Sequence, residues 1–281
     1  MAKIVRTVYG AELQSAQLSG LPIVIRANTT LNQKFNISAG VALASDDVPR
    51  VRYVGIGNRG HILRTSGGGS TAPVSMQHQP TEAGMWGQIP FVLRPISDDI
   101  DATARLRYGL RRVETHGGDD YFAYYLRRLD FTDIETQLFR KSYELGNVTT
   151  EPFVPSLADL SPEQPEIDSE GVNVSSGEFV AAYAQVNFEL DEDDILEGLN
   201  VANVLYGSDD FAIISEIAFC SGVDKTVSVP DGLGGSINFL EVIAAQIFAH
   251  VPGFHALKFS NTGLTKTYDL GAMEPLFLEA P

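Results

Sequence analysis

Cysteines and long apolar runs are scarce in this chain of 281 residues. Because Cys220 is the single cysteine, no disulfide can form within the chain, and an isolated thiol usually packs as a small buried hydrophobe. No run of 18 apolar residues occurs, so we expect no membrane-spanning helix. The first residues lack the apolar core of a signal peptide, which predicts a protein made in a cytoplasm.

Charge is also scarce, and it is unevenly distributed. Hydrophobic residues make up 44% of the chain and charged residues 20%, a composition that excludes a disordered protein. The net charge of −16 argues against a nucleic-acid-binding module that relies on a basic face. Residues 1–145 carry 17 basic and 14 acidic side chains, whereas residues 146–281 carry 3 and 22. We therefore expect a polyanionic surface over part of the second half.

The pattern of apolar residues predicts a β-rich α+β fold. In the first half, short apolar or alternating stretches at 21–26, 51–54, 61–64, 89–94 and 136–143 predict antiparallel sheets or a sandwich, with a flexible loop at the glycines 67–69. The second half is a mixed strand-helix unit. Alternation predicts strands over 179–190 and 211–219, and spacings of three to four residues predict helices over 191–206 and 239–250.

Proline and acidic residues mark a domain boundary. Between residues 151 and 171, four prolines alternate with acidic side chains, which is typical of an extended linker or arm. The predicted organisation is a β-rich domain over 1–150, the linker over 151–171 and a mixed α+β domain over 172–281.

One glycine motif suggests a nucleotide-binding enzyme as an alternative. Gly55, Gly57 and Gly60 match the spacing G-x-G-x-x-G, but a dinucleotide site requires a helix to begin there. Residues 61–66 followed by three glycines cannot form that helix, and no acidic residue follows at the ribose-binding distance. We therefore favour a glycine-rich hairpin turn.

Other residues that could carry chemistry have simpler interpretations. Four consecutive acidic residues, 191–194, lack the spacing of a calcium loop and fit the N-terminus of a helix. The five histidines show no metal-binding spacing, and Cys220 follows an apolar strand with no histidine near it in sequence. The residues therefore predict no catalytic group, no cofactor-binding group and no metal ligand.

Arginine and tyrosine are concentrated in a predicted hairpin over residues 108–129, with a connection at 115–120. Arg and Tyr together are typical of protein interfaces, and they also fit a phosphate-binding sheet or intramolecular pairing with the acidic half. The candidate interface residues are Arg105, Arg107, Tyr108, Arg111, Arg112, Tyr121, Tyr124, Tyr125, Arg127 and Arg128.

Five stretches show a resemblance to a known family. They lie at 74–83 (VSMQHQPTEA), 88–94 (QIPFVLR), 108–112 (YGLRR), 121–130 (YFAYYLRRLD) and 214–225 (ISEIAFCSGVDK). In these motifs the chain resembles an uncharacterised family of virion structural proteins of large tailed bacteriophages with contractile tails, and the resemblance covers roughly residues 50–270.

The resemblance implies a non-enzymatic virion subunit made in the host cytoplasm. It implies a place in the neck, collar or baseplate of the tail, and assembly with copies of itself and with other virion proteins. A capsid decoration protein is the nearest alternative, and a carbohydrate-binding β-domain is a third interpretation that one tryptophan supports little. If the subunit lines a channel, its acidic half would let DNA pass without adhering. We expect no membrane partner.

Overall fold

The structure is a computed structural model that describes residues 4–36, 42–144, 147–162, 175–259 and 263–277. Within these ranges the protein is a β-rich α+β fold, as the sequence predicts. The strands are β1 (Val5–Arg6), β2 (Arg50–Gly57), β3 (His61–Thr65), β4 (Thr71–Ser75), β5 (Gln88–Ile89), β6 (Val92–Pro95), β7 (Tyr108–His116), β8 (Asp119–Arg128), β9 (Gln137–Glu144), β10 (Asn147–Pro152), β11 (Ser175–Leu190), β12 (Ile213–Pro230), β13 (Ser236–Ala256) and β14 (Leu264–Phe277). The helices are α1 (Val8–Ser19), α2 (Leu31–Phe35), α3 (Ala102–Arg105), α4 (Leu157–Leu160) and α5 (Glu192–Tyr206).

The chain forms two compact units whose boundaries differ from the predicted division at 150 and 171. Unit 1 comprises residues 1–129 and 189–264, and unit 2 comprises residues 130–188 and 265–281. The division differs because two long strands of the second half, β12 and β13, complete the sheet that the first half begins. Of the predicted linker, residues 151–162 hold the end of β10 and the short helix α4, and the rest lies outside the described residues.

Unit 1 is built on an eight-stranded antiparallel sheet. Its strand order is β1-β13-β12-β2-β8-β6, with β5 beside β2 and β7 beside β8. The buried side chains come mainly from β2, β8, β12 and β13. Helices α1 and α2 pack on β13 and helix α5 packs on β6. A separate two-stranded sheet, β3 with β4, contains the glycine loop 67–69 at its turn.

The helix predicted over 239–250 is wrong, because this segment lies within the 21-residue strand β13. Register shifts between β12 and β13 leave Phe248 without a Cα partner and interrupt the pairing again near Ala244, which has φ of +53°. Each irregularity resets the inward and outward alternation of side chains. Half-exposed residues therefore recur at 240, 244 and 248, a spacing that a sequence pattern cannot distinguish from a helix.

Other sequence-based predictions have mixed outcomes. Helix α5 is confirmed, with Asp191 as N-cap and Gly207 in the left-handed C-cap conformation. The strand predicted over 21–26 is absent, since these residues have no regular structure, and helix α1 before it was not predicted. The strand predicted over 89–94 is divided into β5 and β6. Among the described residues no helix is long and apolar enough to cross a membrane.

Unit 2 is a four-stranded sheet in the order β10-β9-β11-β14. Strand β9 pairs antiparallel with both β10 and β11. Along β9, Phe139, Lys141 and Tyr143 share one face, which is aromatic, and Arg140 and Ser142 share the other, which is polar. All six residues of β10 are exposed, and in the part of unit 2 that the structure describes β10 and β14 are the edge strands.

Helix α1 approaches β13 so closely that Gly10 has no room for a side chain. A Cβ atom at Gly10 would lie 2.6 Å from the backbone oxygen of Phe248. We expect Gly10→Ala to lower the free energy of unfolding by about 1–3 kcal/mol despite the higher helix propensity of alanine, because backbone must move. Urea denaturation measures this change. The control Gly67→Ala, in an open loop, should change stability by less than about 0.5 kcal/mol. Equal stability of the two variants would contradict this packing.

Candidate functional site

The Arg/Tyr hairpin forms as predicted, with β7 and β8 paired over their whole lengths. Its candidate interface residues are nevertheless distributed between the interior and the surface. Tyr108, Tyr124, Tyr125 and Arg111 are buried, and the remaining six are half-buried. The buried four are therefore not accessible to a partner in this conformation, and intramolecular pairing accounts for most of the set.

Asp194 is the acceptor for two of these arginines. Arg107 donates to both of its carboxylate oxygens, at 2.9 and 2.8 Å, and Arg127 also forms an ion pair with it. Asp194 lies in the first turn of α5, where its carboxylate also accepts from the Asp191 amide at 3.1 Å and closes a capping box. The acidic run at 191–194 thus caps the helix, as predicted, and one member anchors the hairpin.

Asp99 organises the buried part of the hairpin. The hydroxyl of Tyr124 donates to Asp99 Oδ1 at 2.5 Å, and Arg105 donates to Asp99 Oδ2 at 3.0 Å. Arg111 lies over the ring of Phe122 at 3.5 Å and donates to the Tyr124 hydroxyl at 3.1 Å. Burial, and then the hydrogen bond to Asp99, raise the pKa of the Tyr124 hydroxyl, so it remains a neutral donor.

The other residues of the set pair in the same manner or face outward. Arg128 forms an ion pair with Asp224 and donates to the Leu240 carbonyl at 2.7 Å. The Tyr125 hydroxyl donates to Glu114 at 2.6 Å. Arg112 and Tyr121 are half-buried and form no ion pair with a described residue, so these two remain the members best placed for contact with another chain.

A buried cluster of histidines and carboxylates, which the sequence did not reveal, lies between the segment 76–87 and the strands β12 and β13. His78 is 3% exposed, and its two ring nitrogens face two carboxylates, Glu82 at 2.5 Å and Glu216 at 2.8 Å. Glu216 also accepts from the amides of Trp86 at 3.1 Å and Gly87 at 2.7 Å. Burial opposes ionisation of Glu216, but these hydrogen bonds together lower its pKa.

The His78 ring is also sandwiched between two other rings. Trp86 and His250 stack on its opposite faces, each with a centroid distance of 3.8 Å. His250 Nε2 donates to the Glu82 carbonyl at 3.1 Å, and its buried Nδ1 has no hydrogen-bond partner among the described residues. Burial lowers the pKa of His250 to about 4, because a proton on Nδ1 would have no acceptor there.

This cluster holds the segment 76–87 against the sheet. Met76 donates to the Gly60 carbonyl at 2.8 Å, and Val8 donates to the Pro80 carbonyl at 2.8 Å. The sequence feature that could have indicated the cluster was the short separation of His78, Glu82 and Trp86 along the chain. Its other members, Glu216 and His250, are 130 or more residues away, so only the fold brings them together.

The glycine motif serves close packing. A Cβ atom at Gly60 would lie 2.4 Å from the Ser215 oxygen, and one at Gly57 would lie 2.6 Å from the Glu216 carboxylate. The predicted hairpin turn is wrong, since β2 and β3 belong to different sheets, but the expected absence of a helix after Gly60 is confirmed. A helix N-terminus that could bind a pyrophosphate is therefore not present at residues 55–65.

Cys220 and the metal-binding residue types are candidates for a reactive centre within the described residues. Cys220 is fully buried, as predicted, and burial raises the pKa of its thiol. Across the described ranges, no group of three or more His, Cys, Asp or Glu side chains could hold a metal ion. The arrangement of charged groups instead stabilises the fold.

We expect Asp194→Asn to lower the free energy of unfolding by about 2–3 kcal/mol, because two arginines would lose their common counter-charge. Chemical denaturation measures the loss. The neighbouring Asp193→Asn is a matched control, since Asp193 is exposed and forms no ion pair with a described residue. A similar effect of both substitutions would contradict the anchoring role of Asp194.

The stability of the protein should fall when the pH is lowered from 7 to 4. In the unfolded chain His250 binds a proton near pH 6.5, but in the folded protein only near pH 4, so acid favours unfolding. This one group should remove about 3 kcal/mol over that interval. His250→Gln should reduce the pH dependence of the unfolding free energy by this amount. An unchanged slope in His250→Gln would contradict the assignment.

Comparison with known proteins identifies a family whose function is unknown. No curated protein matches the chain, and no solved structure matches it. One family model, described as "Family of unknown function (DUF7208)", matches residues 1–281. Since this match spans the whole sequence, the chain belongs to the DUF7208 family.

Proposed function

We propose that this protein is a non-enzymatic structural subunit of a tailed-phage virion, placed in the neck, collar or baseplate and acting by oligomeric assembly. The observation that carries the proposal is the aromatic face of unit 2, which is built like the inner face of a sheet but is left partly uncovered. The sequence resemblance to virion structural proteins supports the same function.

The geometry of this face is defined by contacts within the sheet. Phe139 stacks on Tyr183 at 4.9 Å, Tyr143 meets Phe179 edge to face at 5.4 Å, and the Tyr143 hydroxyl lies 3.9 Å from the sulfur of Met273. Tyr143 is nevertheless 46% exposed and Met273 45% exposed. Apolar side chains that contact one another and remain in water are a feature of protein interaction sites, which supports the proposal.

The chain beyond β10 shows the same property. Val154, Leu157 and Leu160 are 79–84% exposed, around and within the short helix α4. A four-residue helix with no buried residue gains little stability from its own hydrogen bonds. This segment fits an arm that packs against a neighbouring subunit, which is the role predicted for residues 151–171.

The strong negative charge of unit 2 fits two places in a particle. Its residues include 14 acidic and 3 basic side chains. Such a surface can contact a basic virion protein, and in a ring it would let DNA pass along the axis without adhering. A capsid decoration protein remains the alternative position, and copy number separates the two. A copy number that corresponds to one ring supports a neck or baseplate position. A copy number that equals the number of capsid subunits supports decoration.

A nucleotide-binding enzyme is the alternative from another class. The close packing at Gly57 and Gly60 leaves no space for a phosphate group beside either residue. We therefore expect no thermal stabilisation of the purified protein by NAD or ATP. If the protein bound either one, the ligand at 100 times its Kd would raise the free energy of unfolding by about 2.7 kcal/mol.

The proposal predicts that the protein is a component of purified particles and that Met273→Glu reduces its incorporation. A carboxylate on the aromatic face would be desolvated when a neighbouring subunit covers it, which costs several kcal/mol. Quantitative mass spectrometry of purified particles measures the copies incorporated.

The matched control is Ala272→Glu, which adds the same charge to the adjacent exposed residue, whose side chain points to the opposite face. Incorporation of Ala272→Glu should equal that of the wild type. Absence of the wild-type protein from particles would overturn the proposed function, and equal loss in both variants would overturn the role of the aromatic face.

A further inference from the structure

The two-stranded sheet of β3 and β4 projects from unit 1 with little support. Residues 62–75 are exposed, and within the described chain β3 and β4 pair only with each other. Contacts at the base hold the hairpin. Ser75 donates to the Gly253 carbonyl at 2.9 Å, and the His61 ring meets Phe254 edge to face at 4.8 Å. An isolated two-stranded hairpin is marginally stable in water, so its free edge is suited to pairing with another strand.

Of the two strands, β3 offers the better edge. Pro73 in β4 has no backbone N–H, so β4 cannot present a complete row of donors. Strand β3, with sequence HILRT, contains no proline and exposes Leu63 at 68%. A neighbouring strand could therefore form a ladder along all five residues of β3.

The distribution of charge indicates which strand could pair with β3. Residues 48–81 contain four arginines and no acidic residue, and none of the four forms an ion pair with a described residue. One of them, Arg64, lies on β3 and is exposed. Unit 2, by contrast, has a net charge of −11. Its edge strand β10 is six residues long, close to the length of β3, and carries the exposed Glu151, which forms no ion pair with any residue the structure describes.

We propose that β3 of one copy of this chain pairs with β10 of a second copy, so that the hairpin extends the four-stranded sheet of the neighbour. This inference rests on the proposed function, because it describes how subunits of the same kind would join. The backbone hydrogen bonds of strand addition supply affinity, and the side chains on either side of the ladder supply specificity.

The side chains match on both faces when Leu63 lies opposite Thr150. Arg64 is then directly opposite Glu151 in a parallel pairing and diagonal to it in an antiparallel one, and either distance is within reach of an arginine. Leu63 lies on the other face beside Val148, which is 44% exposed. The same register therefore joins opposite charges on one side and apolar groups on the other.

The contact is heterologous, because the hairpin of one copy binds a different surface on the next copy. Repetition of such a contact produces a closed ring or an open filament. It also leaves the aromatic face of unit 2 available to a different virion protein, so this contact and the Met273 surface can fail independently.

A charge-reversal cycle with the full-length protein tests the contact. Sedimentation velocity should show self-association of the wild type that weakens as salt is raised. Arg64→Glu and Glu151→Arg should each weaken it about tenfold or more, and the double variant Arg64→Glu/Glu151→Arg should recover most of the loss. Arg50→Glu is the matched control, since it changes net charge equally on a different strand, and it should have little effect.

Cross-linking tests the register between different copies. Because the native Cys220 is buried, a Leu63→Cys variant and a Thr150→Cys variant each present one accessible thiol. A short bis-maleimide should link the two variants when they are mixed, whereas Leu63→Cys mixed with Asp119→Cys should give no such product.

The outcomes separate this inference from the proposed function. Rescue by the double reversal together with the mixed cross-link supports the β3–β10 contact. Self-association that is insensitive to Arg64 and Glu151, or a monomeric protein at all concentrations, overturns the contact. The proposed function is decided separately by the presence of the protein in purified particles.

Discussion

The antiparallel pairing of β12 and β13 is the interaction on which unit 1 depends. These strands of 18 and 21 residues lie at the centre of the eight-stranded sheet, between β1 on one side and β2 on the other. Helices α1 and α2 pack on β13, and Asn32 of α2 bonds to Val242 and Ala245 across the irregularity at Ala244. The same pair supplies Glu216 and His250, so the buried cluster exists only when the two strands are in register.

The local pattern of apolar residues could predict the β-rich fold, the β7–β8 hairpin and helix α5. Alternation indicates the strands, and spacings of three to four residues indicate the helix. Helix α5 has its acidic N-cap and its glycine C-cap within one short segment. Strand β13 could not be recognised, because its irregularities imitate helical spacing. Helix α1 has little separation of polar and apolar faces, with Gly10 and Leu13 as its only buried residues, so its sequence pattern was weak.

The candidate site, too, could be predicted only in part from the sequence. The arginines and tyrosines at 105–128 were identified as charged and aromatic residues in a hairpin, but composition does not say what pairs with them. Two of their partners, Asp194 and Asp224, lie 67 or more residues away in sequence. The His78 cluster is a stronger case, since two of its carboxylates stabilise one ring from separate parts of the chain. Pairing of this kind is decided by topology, and a single sequence carries no record of it.

The fold also changes the meaning of the net charge. In sequence, 22 of the 36 acidic residues belong to the second half. Those between 189 and 264 lie in unit 1, where Asp194, Glu197 and Asp224 are neutralised by arginines of the first half. The acidic residues of unit 2 have only three basic side chains in the same unit. The charge available to a partner is therefore concentrated on unit 2, while the arginines of residues 48–81, which form no ion pair with a described residue, lie on unit 1. Contact between the acidic surface of one copy and these arginines of another favours a head-to-tail arrangement over a symmetric one, because like surfaces repel.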